Sequence, residues 1–180
     1  MASVLDGECK GDASVAPEAF HANRTRWSCI RNRTHNCGTM SAAKSDALIG
    51  VWKLVSWQVI GENEETQDVF GSSPKGYLIL TREGRMMALN VAENRQGGMT
   101  DAERAALHKS MLAYSGKYRV VDNDFITTVD VSWNEVWNGT EQRRHFRIEG
   151  DKLSIESEPG PSIVFPGKTD YRRLVWKREK

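Results

Sequence analysis

Strict alternation of side chains over residues 137–157 is the feature that most limits what this chain can fold into. The stretch reads WNGTEQRRHFRIEGDKLSIES, and within 142–148 every second residue differs in character from its neighbours. A Gly-Asp dipeptide then separates it from a second alternating segment. Period-two patterns joined in this way predict a β-hairpin. One face carries Phe146 and Ile148 together with Arg144, so we expect a fixed positive charge on the inward side.

The overall composition indicates one soluble globular domain. The chain has 180 residues, 39% of them hydrophobic and 27% charged, with a formal net charge of +1. That balance provides no basic surface for nucleic acid, so we expect no nucleic-acid partner. No apolar run approaches the roughly 18 residues of a membrane span, and the first twenty residues have no signal-peptide core. We therefore expect a cytoplasmic protein that does not bind membranes.

Residues 1–45 differ from the rest of the chain. They lack sustained periodicity and contain all three cysteines, Cys9, Cys29 and Cys37, with His21 and His35 between them. The cysteine spacings do not form the paired CxxC arrangement of a zinc site, so we expect no metal there. We predict a flexible extension over 1–45 and a single folded domain over 46–180.

The pattern changes at residue 48. The segment IGVWKLVSWQVIG predicts a strand in which Trp52 and Leu54 face one side and Trp57 and Val59 face the other. Both faces of such a strand would be partly covered.

The remaining elements form an antiparallel series with one helix inserted. Thr100 and Glu103 have the spacing of a capping box, which predicts a helix from about 101 to 113. With the hairpin, the further predicted strands are 77–82, 85–91, 116–121, 125–133 and 171–178. About eight strands joined by tight turns predict an all-β, eight-stranded antiparallel barrel that can hold a small ligand, and a β-sandwich is the alternative.

Five segments in the same order resemble the lipocalin-like domain family of bacteria and fungi. They are GVWKLVSW (50–57), PKGYLILTREGRMMA (74–88), AYSGKYRV (113–120), WNGTEQRRHFRIEGDKL (137–153) and LVWKR (174–178). The resemblance implies a barrel whose lumen opens at one end. It also implies that Trp52 lies at the barrel floor beneath an arginine of the last strand, with Arg172, Arg173 and Arg178 as the candidates.

Arg144 is the foremost functional candidate. Strand alternation carries it and Gln142 to the inner side, where a guanidinium requires a carboxylate or a ligand oxygen as partner. A structural ion pair with Asp130 or Glu135 is the alternative. The same alternation places His145 on the solvated outer face, which argues against a histidine base.

Hydroxyl and carboxyl groups provide the other candidates for proton transfer. Tyr114 and Tyr118 are predicted to reach the pocket as hydrogen-bond donors or as a general acid, although tyrosine is also a common packing residue. Asp130 lies with Thr128 and Ser132 on the more polar face of its strand. It points outward unless that polar face lines the lumen, and both readings stay open.

We thus expect Arg144, Tyr114, Tyr118 and Asp130 in the catalytic or anchoring role. The expected ligand-contacting residues are Trp52, Tyr77, Met86, Trp133, Gln142 and Phe146.

The chemistry of the sequence favours binding of a small, mostly apolar metabolite in the lumen. The alternative is a cofactor-independent isomerase or cyclase of secondary metabolism that uses the same pocket. A weaker alternative is an interaction module whose barrel is filled by its own side chains. The sequence contains no P-loop, Rossmann glycine motif or metal-ligand cluster, so we expect no cofactor and no metal. We expect a monomer or a homodimer.

Overall fold

The computed structural model describes residues 45–162, 164–165 and 167–180. The predicted flexible extension, its three cysteines, His21 and His35 lie outside the described residues, except for residue 45. A short helical segment, residues 45–48, leads into the first strand.

The described chain consists mainly of β-strands. They are β1 (Gly50–Gly61), β2 (Thr66–Asp68), β3 (Lys75–Leu80), β4 (Arg85–Val91), β5 (Met111–Val121), β6 (Asp124–Ser132), β7 (Glu141–Glu149), β8 (Lys152–Ser157), β9 (Gly160–Pro161) and β10 (Thr169–Arg178). Helix α1 (Asp101–Lys109) lies between β4 and β5, and a 3-10 turn (Glu135–Trp137) lies between β6 and β7.

Eight of these strands close into an antiparallel barrel. Their order is β1-β3-β4-β5-β6-β7-β8-β10, and β10 pairs back onto β1. Closure gives each barrel strand a hydrogen-bonded neighbour on both sides and removes the edges of an open sheet. The short strands β2 and β9 add pairings to β1 and β10. The predicted eight-stranded barrel is confirmed, and the sandwich alternative is wrong.

The two ends of the barrel differ in their connections. At one end the hairpin turns are tight, as at Gly150-Asp151, where Gly150 adopts a φ of 61° that suits glycine. At the other end the connections are long, and they comprise residues 62–74, 92–110, 133–140 and 158–168. The tight turns leave one end closed, so any ligand must enter between the long connections.

Trp52 fills the closed end. Its side chain is fully buried, and its indole Nε1 donates a hydrogen bond to the Leu48 carbonyl at 2.8 Å. The Arg178 guanidinium stacks 4.0 Å from the centre of the Trp52 ring and donates to the carbonyls of Ile49, at 2.8 Å, and Ala47, at 2.6 Å. Cation–π stacking and the two Arg178 hydrogen bonds therefore join the last strand to the beginning of the first strand.

A β-bulge in β1 changes the face on which the later side chains of that strand lie. Leu54 pairs with Trp176 and Ser56 with Val175, so Val55 is an extra residue without a partner in the β10 ladder. The bulge shifts the alternation by one residue, which turns Trp57 to the same inner side as Leu54. The prediction that Trp57 faces away from Leu54 was wrong for this reason.

A second β-bulge lies in β6 and shifts its alternation in the same way. Ser115 pairs with Val131 while Gly116 pairs with Val129, which leaves Asp130 as the extra residue. If the alternation continued without a bulge, Val131 would share the inner side with Val129, but Val131 is 64% exposed. Val129, which precedes the bulge, is buried.

The helix is shorter than predicted. Thr100 and Glu103 form the expected capping box, in which each side chain accepts a hydrogen bond from the other residue's backbone N–H. The helix ends at Lys109, and Met111 already pairs with Val91 of β4. α1 buries none of its residues, so further helical turns would gain little, whereas residues from 111 onward gain the barrel ladder and its core.

Candidate functional site

A cavity of about 530 Å³ occupies the half of the barrel nearest the long connections. Its walls are mainly apolar, and its lower part lies against the inward side chains of β3, β4, β6, β8 and β10. The principal apolar lining residues are Trp57, Phe70, Leu78, Ala88, Leu112, Tyr114, Phe125, Trp133, Trp137, Ile155, Leu174 and Trp176. A volume of this size suits a small organic molecule.

Aromatic side chains from the connections close in on the cavity from two sides. Phe70 packs edge-on against Trp57, with ring centres 4.6 Å apart. On the other side, Trp137 of the 3-10 turn packs edge-on against Trp133 at 5.0 Å and against Tyr114 at 5.4 Å. Rigid aromatic walls provide large contact areas at a low cost in side-chain entropy.

Arg144 lies in the cavity wall on β7. Its Nη2 donates to Gln142 Oε1 at 3.0 Å, and its Nη1 donates to the backbone carbonyl of Arg143 at 2.7 Å. No carboxylate of a described residue forms an ion pair with it, and neither proposed partner, Asp130 or Glu135, reaches it. The guanidinium is therefore oriented by neutral oxygens and keeps its charge uncompensated.

The neighbours of Arg144 on the outer face of β7 both contact one carboxylate. Arg143 Nη1 lies 2.7 Å from one oxygen of Asp124, and His145 Nδ1 lies 3.0 Å from the other. Burial alone would raise the pKa of Asp124, but the hydrogen bonds from Arg143 and His145 outweigh it and lower that pKa. His145 thus belongs to an exterior charge cluster on the solvated face.

Arg144, Ser157 and Arg172 form one row across three neighbouring strands. Arg144 pairs directly with Ser157 of β8, and the Ser157 hydroxyl accepts a hydrogen bond from the Arg172 backbone N–H at 3.0 Å. All three residues line the cavity. The small serine leaves room between two guanidinium-bearing side chains, so this wall is suited to an anionic group.

Four of the residues predicted for the site lie together in the cavity wall. They are Arg144, Gln142, Tyr114 and Trp133. No described residue forms a hydrogen bond with the Tyr114 hydroxyl, although the Tyr114 side chain is only 8% exposed. A phenol in this position is available to a ligand.

Four other predicted residues lie below the cavity, toward the closed end. Trp52 and Met86 are buried in the core, and Phe146 packs against Phe125 with ring centres 6.2 Å apart. The Tyr118 hydroxyl donates to the Thr81 carbonyl at 2.9 Å. Burial, assisted by the charges of nearby carboxylates, raises the pKa of Tyr118. None of the four lines the cavity.

The last two predicted residues lie on the outer surface of the barrel. Tyr77 alternates with the buried residues of β3 and is 42% exposed. Asp130 forms an ion pair with Arg85 and accepts a hydrogen bond from Ser115 at 2.9 Å. Burial acts to raise the pKa of Asp130, but the bonds to Arg85 and Ser115 prevail and lower it. The structure places neither residue in a position to touch a ligand in the lumen.

Sequence reasoning missed several lining residues. Trp57 was assigned to the wrong face because of the bulge, while Phe70 and Trp137 come from connections without periodicity. Asn90 had a usable signal, since it follows the buried residues Met86 and Ala88 at strand spacing.

Three buried polar atoms in the lining have no hydrogen-bond partner in the part of the chain described. They are Trp57 Nε1, Trp176 Nε1 and Asn90 Oδ1. An unsatisfied buried polar atom costs stability.

Two further kinds of site do not occur in the described segments. No three histidine, cysteine or acidic side chains are grouped so as to bind a metal ion. None of the helices there has both the length and the apolar character to span a bilayer.

The chain is a closed β-barrel with a mainly apolar lumen and a charged wall, and barrels of this size can hold a small ligand. The family model described as "Lipocalin-like domain" matches residues 49–179. The chain belongs to the lipocalin-like domain family, as its sequence motifs suggested, and this fold indicates ligand binding in general.

Other comparisons add little. No curated protein matches the chain. Among solved structures, it is similar to an uncharacterized protein from Bacteroides eggerthii DSM 20697, at 16% identity and a TM-score of 0.37, over 73% of this chain and 98% of that one.

Proposed function

We propose that this protein binds an apolar organic acid in the barrel lumen, with Arg144 as the anchor of the acidic group. The observation that carries the proposal is the Arg144 guanidinium, which has no carboxylate partner among the described residues and lies in the wall of a mainly apolar cavity. A partly buried cation is costly unless an anion approaches it, so an acidic ligand would gain both charge pairing and apolar contact.

Aromatic acids fit this arrangement better than flexible polar molecules. The walls opposite Arg144 and around the entrance carry indole and phenyl rings, which stack on flat ligands.

A matched pair of fluorescent probes tests the anchor. Anilinonaphthalene sulfonate and N-phenyl-1-naphthylamine share their ring system, but only the first is charged. Replacing Arg144 with methionine keeps an extended side chain and removes the charge. We expect this change to weaken sulfonate binding about 10- to 100-fold, the loss of one charged hydrogen-bonded contact, and to leave binding of the uncharged probe nearly unchanged.

The control is Arg147→Met on the same strand. Arg147 lies on the outer face, where it pairs with Glu149 at 2.6 Å and is 77% exposed, so its loss should affect neither probe. Equal affinity of the Arg144→Met variant and the wild type for the sulfonate would contradict the anchoring role. Loss of both probes would indicate that Arg144 maintains the shape of the cavity instead.

A cofactor-independent isomerase or cyclase is the second candidate function. The observation that favours it is the Tyr114 hydroxyl, which lines the cavity without a hydrogen bond to a described residue. In such an enzyme Arg144 would stabilise the negative charge of an enolate, and Tyr114 would donate or accept the proton.

Tautomerisation of phenylpyruvate is a suitable test reaction, because its substrate is an aromatic acid and a proton is removed from carbon while another is added to the carbonyl oxygen, or the reverse, with no other bond changed. The enzyme hypothesis predicts acceleration by the wild type and a loss of about 100-fold in Tyr114→Phe, the usual contribution of a general acid or base. The matched control is Tyr118→Phe, which alters only the hydroxyl bonded to Thr81. Binding of phenylpyruvate without acceleration would favour the carrier for this class of substrate.

A further inference from the structure

Asp170 is a buried carboxylate beside the cavity wall. The residue is 3% exposed, and neither carboxylate oxygen has a hydrogen-bond partner among the described residues. One cation approaches it, since Arg172 Nη2 lies 3.8 Å from Oδ1. A buried negative charge with so few partners is costly. Its nearby cation is Arg172, so the carboxylate acts mainly on the charge of that guanidinium.

Arg172 lies in the same part of the cavity wall as Arg144, the part that is suited to an anionic group of a ligand. Ser157 lies between them on β8, and each arginine is one strand away from it. At the usual strand spacing the two backbones are about 10 Å apart. Both side chains line the cavity, so a ligand held there experiences both guanidinium charges unless one of them is cancelled.

The remaining charges at the cavity do not alter this balance. Glu141 is bound by Arg119 at 2.6 Å, and Arg143 is compensated by Asp124 and lies 3.7 Å from Glu158. Lys109 and Glu158 are both exposed and carry opposite charges, so together they add no net charge to the cavity. Since the negative charge of Asp170 balances the positive charge of Arg172, the inner cavity carries a net charge of +1, supplied by Arg144.

We infer that the lumen selects monoanions over dianions, and that Asp170 is the residue that determines this selectivity by cancelling the charge of Arg172. The inference rests on the proposed function. A monoanion satisfies Arg144. The second acidic group of a dianion meets a guanidinium whose charge is already balanced, so it loses hydration without a full counter-charge.

The test compares 2-naphthoate with two dianions of the same ring, the 2,3- and 2,7-naphthalenedicarboxylates, which sample a short and a long spacing of acidic groups. Dissociation constants are measured for the wild type, Asp170→Asn, Arg172→Gln and the double variant. Asparagine has the shape of aspartate, and no hydrogen bond of Asp170 to a described residue is lost, so the replacement removes the charge alone. The ratio of affinities within one variant is independent of the fraction of folded protein.

We expect the wild type to bind the monoanion at least about tenfold more tightly than either dianion, the effect of one unmatched charge. Asp170→Asn should shift this ratio about tenfold toward at least one dianion. Arg172→Gln leaves Asp170 uncompensated and should shift the ratio in the opposite direction. The double variant should return to the wild-type ratio, because both charges are gone.

An unchanged ratio in Asp170→Asn would overturn the inference, as would a shift that persists in the double variant. If Asp170→Asn does not fold, Arg172→Gln provides the test: a shift of the affinity ratio toward the monoanion supports the inference, and an unchanged ratio overturns it. Failure of the wild type to bind 2-naphthoate would instead contradict the proposed function. Binding of 2-naphthoate that depends on Arg144, without any shift in the ratio, would contradict the selectivity alone.

Discussion

Replacing Trp52 with alanine is expected to lower the free energy of unfolding by about 3–5 kcal/mol, the usual cost of removing a large aromatic side chain from a core. The indole is fully buried, and the variant loses the stacking with Arg178 and the hydrogen bond to the Leu48 carbonyl. Because a domain of this kind is stable by only about 5–15 kcal/mol, the barrel would be close to unfolding. Urea denaturation followed by circular dichroism measures the change.

The matched control is Trp133→Ala. Trp133 is only partly buried and lies in the cavity wall against Trp137, so its removal enlarges an existing cavity. We expect a clearly smaller loss of stability together with weaker ligand binding. Wild-type stability of the Trp52→Ala variant would show that the closed end is not held together as described.

Replacing Gly116 with alanine is expected to cost about 3 kcal/mol, at the upper end of the usual range for overpacking. A Cβ atom at this position would lie 2.1 Å from the Thr128 carbonyl oxygen and 2.8 Å from Thr127 Cγ2. The carbonyl belongs to the backbone of the neighbouring strand, so it cannot rotate away as a side chain would. The strands must separate beside the bulge at Asp130.

That bulge sets the direction of the chain just before Trp133, so ligand affinity should fall together with stability in Gly116→Ala. Gly97→Ala provides the control, because a Cβ atom there would have no neighbour within 4 Å. The free energies of unfolding and the probe affinities of both variants are compared with those of the wild type. Retention of both properties in Gly116→Ala would contradict the close approach of β5 and β6.

Alternation predicts the fold and the inward position of Arg144 because β7 is regular. Its pairing with β6 runs without interruption from Glu141 to His145, and its pairing with β8 continues to Glu149. Every second side chain of β7 therefore keeps the same face, and a charged residue that shares this face with Phe146 and Ile148 is visible in the sequence. The same holds for the capping box of α1, which depends on two residues three positions apart.

The rest of the site was hidden from the sequence for physical reasons. A bulge shifts the alternation by one residue, and in β1 apolar residues occupy both faces, so the pattern does not reveal the extra residue Val55. Phe70 and Trp137 reach the cavity from connections, whose path depends on tertiary contacts. The pairing of Asp170 with Arg172 depends on burial, which residue spacing does not specify.

The depth of each residue along the barrel axis is a further property that alternation does not provide. Phe146 and Arg144 share the inner face of β7, yet Phe146 packs into the core against Phe125 while Arg144 borders the cavity. Trp52 and Trp57 are similarly separated along β1, one at the closed end and the other in the lining. The boundary between the packed core and the cavity depends on how the side chains of all eight strands meet in the closed barrel.

A crystal structure with 6-bromo-2-naphthoic acid tests whether Arg144 anchors an acid in the lumen, because the anomalous signal of bromine fixes both the position and the direction of the ligand. We expect the naphthalene ring inside the barrel and a carboxylate oxygen about 2.7–3.2 Å from a guanidinium nitrogen of Arg144, the range of a normal hydrogen bond. A bromine peak outside the barrel, or a carboxylate directed away from Arg144, would contradict it.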